Sequence, residues 1–222
     1  LNEFALDDET CKRATQGLID IFKATKRQSE ITQLRTEYAC AGISEDDEEI
    51  IFYEAANDLY LSENFDEAIP EIQKYLERYP DGRFTIQLLS YIGDIYYQRD
   101  ELNQALMYYE NIIARSRSAF TEEALVRASK ILYNDGRYER ALPYYDQLED
   151  LASSPQVIFN TRVGLMRCNF ILENYENAAE AAKNVLKDDL LNDETVNVEG
   201  NYIAGMSLFK TQAYQEAIPY LE

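Results

Sequence analysis

Apolar and small residues recur along the chain at helical spacing, and one block of them returns five times. The stretches NFDEAIPEIQKYL from Asn64, ELNQALMYYENII from Glu101, RYERALPYYDQLE from Arg137, NYENAAEAAKNVL from Asn174 and AYQEAIPYLE from Ala213 align without gaps. Each opens on a large apolar residue: Phe65, Leu102, Tyr138, Tyr175 and Tyr214. An alanine stands three positions on: Ala68, Ala105, Ala141, Ala178 and Ala217. Successive alanines are 37, 36, 37 and 39 residues apart. Pro70, Pro143 and Pro219 follow two residues after the alanine, which is expected of a first helical turn, where the missing N–H has no partner to lose.

A second helical pattern precedes each block. Nine residues before the large residue sit Ala56, Gly93, Ser129, Met166 and Gly205. Four of these five are small, as two closely crossing antiparallel helices require. Around them Phe52, Leu59 and Tyr60, then Leu89, Ile92 and Tyr96, then Leu125, Leu132 and Tyr133 form helix-period stripes. A lone helix pair cannot bury both apolar faces, so the period predicts stacked pairs sharing a seam. The expected fold is all-α, a right-handed superhelical solenoid of antiparallel helix pairs, with units near 44–81, 82–119, 120–154, 155–191 and 192–222.

Punctuation agrees with that division. Ser44 before Glu45, Asp46 and Asp47 reads as an N-cap followed by acids that suit the helix dipole. Pro80-Asp81-Gly82 closes a unit, Thr121 opens a helix, and Ser154-Pro155 opens another. The acidic run Asp46–Glu49 lacks the glycine turn and spacing of a calcium loop, so it reads as a charged helix start. Residues 1–43 are expected to hold a degenerate pair. Leu18, Ile21 and Phe22, then Ile31, Leu34 and Tyr38, suggest helices near 11–25 and 28–40, although the repeat step lands poorly on Gln28 and Ile31. Leu1 to Glu9 read as the tail of a preceding unit, and the chain as an excised fragment.

Charge narrows the partners. With 41 acidic and 21 basic residues the net charge is −20, which repels nucleic acid and anionic lipid headgroups and favours a basic or neutral protein or peptide. The excess acid lies beyond residue 41, since residues 1–41 hold seven acids and six bases. No stretch is apolar for the ~20 residues a membrane helix needs. Cys11, Cys40 and Cys168 have no metal-ligand spacing and read as unpaired, buried small hydrophobes. Without any histidine a cysteine–histidine nucleophile pair is impossible, and neither a glycine-rich phosphate loop nor a nucleophilic serine elbow occurs. No catalytic residue, metal site or cofactor is therefore expected.

The segment Phe52 to Pro80, FYEAANDLYLSENFDEAIPEIQKYLERYP, resembles a tetratricopeptide repeat through Phe52, Ala56, Leu59, Tyr60, Phe65, Ala68, Ile72, Tyr75 and Pro80. The later units match at the corresponding places. The fourth departs, with Met166 at the small position and Asn169 at a usually apolar one, so looser or shifted packing is expected there. YLERYPDG is similar to repeats of bacterial envelope proteins, which favours the envelope as compartment. The resemblance implies a scaffold that holds extended or helical partner segments in a groove lined by the first helix of each pair. By the family's offsets that groove takes three rows. One is Tyr60, Tyr97, Tyr133, Phe170 and Phe209. The next is Asn57, Asp94, Lys130, Arg167 and Met206. The third is Tyr53, Ser90, Val126, Val163 and Tyr202. Arg127, Lys130, Arg162, Arg167 and Lys210 are expected to make its second half basic. Some family members grip a terminal carboxylate with lysine and asparagine. Asn57 fills one such place here, but Tyr53 replaces the first lysine, so no such clamp is expected. A structural spacer, with homo-oligomer contacts through exposed repeat ends, is the alternative.

Overall fold

The computed structural model describes residues 7–25, 27, 29–187 and 193–222. Of the expected tail Leu1–Glu9, residues 1–6 lie outside the described residues, as does the expected unit boundary at 191–192, while Asp7 caps the first helix and Asp8 and Glu9 form its first turn. Among the described residues there are twelve α-helices, a 3-10 turn at Ala39–Ala41 and no strand. The helices are α1 (Asp8–Ala24), α2 (Ser29–Glu37), α3 (Glu45–Leu61), α4 (Phe65–Arg78), α5 (Thr85–Gln98) and α6 (Leu102–Ile113). They continue as α7 (Thr121–Asn134), α8 (Tyr138–Leu151), α9 (Pro155–Ile171), α10 (Tyr175–Leu186), α11 (Glu194–Lys210) and α12 (Tyr214–Leu221). The fold is all-α and built of consecutive helix pairs. The chain forms two compact units, Leu1–Ile95 and Tyr96–Glu222.

The repeated alanines explain the pairing. Ala68, Ala105, Ala141 and Ala178 are fully buried and Ala217 is nearly so, each in the first turn or so of the second helix of its pair. Their partners Ala56, Ser129 and Met166 are equally buried on the first helices. Where both side chains are short, as with Ala56 and Ser129, the helix backbones can approach closely. The turn within each pair holds one left-handed residue: Glu63, Asp100, Gly136, Glu173 and Gln212, with φ between 58° and 71°. Only Gly136 is free of the Cβ strain that this conformation brings. The prolines differ from expectation. Pro70, Pro143 and Pro219 are each the sixth residue of α4, α8 and α12, inside the helix rather than in its first turn. The helices begin at the large residue, one turn earlier than a first-turn proline requires, and each helix continues past the lost hydrogen bond.

In the first unit, Ser44 caps α3 in a full capping box with Asp47. The next two acids do not face water as a charged helix start would. Glu48 is completely buried, with Arg78 of α4 at 2.6 Å, Thr32 of α2 donating a hydrogen bond, and Arg35 Nε at 2.7 Å as an ion contact without hydrogen-bond alignment. Glu49 is also buried. It accepts from the Tyr75 hydroxyl at 2.5 Å and from the Arg83 backbone N–H at 2.6 Å. Gly82 makes room for this, since a Cβ there would stand 2.5 Å from the Glu49 carboxylate and 2.6 Å from the Tyr75 oxygen.

The N-terminal helices pack on α3 through Ile19, Ile31, Leu34 and Ile51. Cys11 of α1 and Cys40 of the 3-10 turn form a disulfide across 29 residues, which corrects the reading of these two as unpaired thiols. Their separation hides the pairing in the sequence. The turn back from α1 to the Ala39–Ala41 segment brings them together. Cys168 is a buried free thiol, and burial pushes its pKa up to about 12. Reducing the disulfide, or the substitution Cys40→Ser, is expected to loosen α1 by about 2 kcal/mol. Hydrogen exchange of α1 should accelerate by more than tenfold while α9 and α10 stay protected; unchanged exchange in α1 contradicts the expectation.

In the second unit, α9, α10 and α11 share a cluster of Phe159, Val163, Met166, Ala178, Ala182, Val185, Val196, Ile203 and Ala204. Met166 at the small position is fully buried, and Ala178 and Ala182 of α10 in the same cluster leave the volume it needs. Asn169 is buried too. Its amide donates to the Leu165 carbonyl at 2.9 Å and accepts from Asn174 at 3.3 Å. Met166 is thus held within the core, and a polar hollow of 360 Å³ opens beside Asn169.

Candidate protein-binding site

The first helices of the pairs carry the predicted rows. In the first unit Tyr53, Asn57 and Tyr60 of α3 face Ser90 and Asp94 of α5, but the contacts run mostly through residues outside the prediction. Tyr53 stacks on Phe84 at 3.9 Å, and Tyr60 on Tyr91 at 3.8 Å. The hydroxyls of Tyr53 and Tyr91 both donate to Asn57 Oδ1 at 3.2 Å, and Gln87 donates to the Tyr91 oxygen at 2.6 Å. The arrangement ties α3 to α5. Burial raises the Tyr53 and Tyr60 hydroxyls above the ordinary tyrosine range, with Asp94 adding to the shift at Tyr60. Both therefore stay neutral donors. Ser90 is 8% exposed and lies inside the packing, so it is not offered to a partner.

In the second unit the rows converge. Lys130 and Tyr133 of α7 and Arg167 of α9 line one open cavity of 320 Å³, together with Val126 and Val163. Tyr145 and Leu148 of α8 form its floor, and Ser129, Asn134, Val157, Asn160, Thr161 and Gly164 complete it. Tyr145 belongs to a second helix, so the offsets for first helices could not place it. The available signal was Gly164: a Cβ there would stand 2.5 Å from the Tyr145 ring, so glycine admits the ring between the first helices. Burial pushes the Tyr145 phenol up to about 12.

The electrostatics of this cavity are less basic than the sequence implies. Arg167 grips Glu199 with two hydrogen bonds of 2.8 and 2.6 Å, and that carboxylate holds its pKa up. Arg127 pairs with Glu123 at 2.6 Å and lies over the Tyr97 ring at 4.5 Å. Arg162 lines the hollow beside Asn169, away from this cavity, and Lys210 lies 5.9 Å from the Tyr175 ring. Lys130 is exposed and meets no carboxylate among the described residues. Of the aromatic row, Tyr97 is covered by Arg127, and Phe170 meets Tyr175 and Tyr202 edge-on at 6.1 Å. Tyr133 meets Tyr138 at 5.3 Å. These three rings are half-buried against a helix of their own or the next pair and help to hold the pairs together, whereas Phe209 is 51% exposed.

A tetratricopeptide repeat family model matches residues 92–156. No curated protein matches the sequence. Among solved structures, the fold is similar to that of YrrB, described as a TPR protein with an unusual peptide-binding site, at a TM-score of 0.56 and 17% identity over 80% of this chain and 86% of that one. It is similar to MamA from AMB-1, at a TM-score of 0.54 and 12% identity over 80% of this chain and 90% of that one. Another MamA crystal structure gives a TM-score of 0.52 and 15% identity over 78% and 87%. At such identities the likeness speaks for the fold alone. The family model matches one segment and the same helix pairs stand on both sides of it, so the fold is that of tetratricopeptide repeat proteins.

Proposed function

We propose that the chain is a protein–protein interaction scaffold that holds a segment of a partner against the first helices of its repeats. One observation carries the reading: Lys130, Tyr133 and Arg167 with Val126 and Val163, five residues of the predicted rows, line a single open cavity. Its walls are apolar and aromatic, with a few polar groups at the edge, which suits a peptide side chain. The chain has no histidine to serve as a general base. The Cys11–Cys40 disulfide supports an oxidising compartment such as a bacterial envelope.

The alternative, a spacer or assembly surface, draws on one feature. Tyr202, Phe209, Tyr214, Ile218 and Leu221 of α11 and α12 are each 46–53% exposed. The two readings separate in one experiment. Tyr97→Ala, Tyr133→Ala and Lys130→Ala are expected to cut capture of a partner from a cell extract by about tenfold or more, with helicity unchanged by circular dichroism. Capture equal to wild type by all three variants overturns the groove reading.

A further inference from the structure

We propose that the α7–α9 cavity selects a partner segment in which an acidic residue stands next to a large apolar one. The inference rests on the binding reading above and adds the chemistry of the ligand. Val126, Val157, Val163, Leu148 and the Tyr145 ring offer the apolar side chain an apolar seat. Two cations border that seat. Arg167 already gives its fork to Glu199. Lys130, by contrast, meets no carboxylate among the described residues. An ammonium with three donors beside an apolar pocket is complementary to a carboxylate one residue away from the buried side chain. Ser129 is nearly buried and gives its hydroxyl to the Val126 carbonyl, so it does not compete for that carboxylate.

The net charge of −20 sets the second condition. Beyond about 8 Å the general field is screened at physiological salt, so Lys130 governs the local contact. Approach from a distance is still governed by the acidic surface, which favours a segment that is neutral or basic in total. The segment is therefore one acid beside a large apolar residue, with basic or neutral residues elsewhere. This is a side-chain contact to one lysine and needs no free C-terminus.

The test is selection from a random dodecapeptide display library on the whole chain and on Lys130→Gln. Lys130 is exposed, so the substitution leaves the core intact. Wild type is expected to enrich peptides with Asp or Glu next to Leu, Ile, Phe, Tyr or Met. Lys130→Gln should lose the acid while keeping the apolar residue. A synthetic peptide from the wild-type pool should bind Lys130→Gln about fivefold more weakly, and its Glu→Gln analogue should bind both proteins alike. Enrichment of peptides without an acid, or an acid preference that survives in Lys130→Gln, overturns the proposal and leaves the scaffold reading standing. Pools that enrich nothing over background, or peptides whose binding is indifferent to Tyr133→Ala and Lys130→Ala, sink the groove reading and the proposal with it.

Discussion

Tyr75→Ala is expected to destabilise the first unit by about 4 kcal/mol. Tyr75 is one of the largest fully buried side chains. Its ring fills the contact between α4 and the segment leading into α5, and its hydroxyl stands at a junction. It donates to Glu49 at 2.5 Å and accepts from the Phe84 backbone N–H at 3.0 Å. Truncation opens a cavity and leaves the buried Glu49 carboxylate with one donor fewer. Tyr75→Phe separates the two effects, because it keeps the ring and deletes only the hydroxyl, for about 1–2 kcal/mol. Urea unfolding followed by peptide-resolved hydrogen exchange measures both. Equal losses in the two variants would show that the ring adds nothing. Burial, and then the bond to Glu49, hold the Tyr75 phenol above its ordinary range. The folded state thus favours the protonated form. Its contribution is complete below about pH 10 and falls as the pH rises past the unfolded value.

Glu48→Gln should cost the same unit about 3 kcal/mol. The wild-type carboxylate is fully buried and shared by Arg35 of α2 and Arg78 of α4. The amide removes the charge that two guanidiniums need. Their side chains remain 29% and 34% exposed, so water compensates them in part, which places the cost at the low end for a broken buried pair. Arg78 also lies over the rings of Phe52 and Tyr79, at 5.7 and 5.6 Å, and keeps those contacts. Exchange should rise in α2, α3 and α4, because the carboxylate joins all three. Peptides of α9 and α10 should not change, since a repeat array passes stability between neighbours only. Wild-type protection in α2 would show that the ion contacts contribute no net stability.

These two sites also mark where local pattern stops being informative. The alanines at 68, 105, 141, 178 and 217 were legible because their role repeats at nearly constant spacing, and all are buried. Glu48 and Glu49 have the composition of any acidic helix start. What buries them is Arg35, Arg78 and Tyr75, which lie outside the helix and which no periodicity links to them. The Cys11–Cys40 bond is silent for the same reason, its partners 29 residues apart. At the site, repeat offsets placed Val126, Lys130, Tyr133, Val163 and Arg167 around one cavity. They could not show that Glu199 takes Arg167, that Ser90 is buried, or that Gly164 lets Tyr145 through from a second helix.

The guanidinium of Arg127 resting on the Tyr97 ring has a mechanical consequence. Arg127 belongs to the repeat that follows Tyr97, so the contact ties the end of α5 to α7. A ligand that needed this face of the ring would first have to displace the guanidinium.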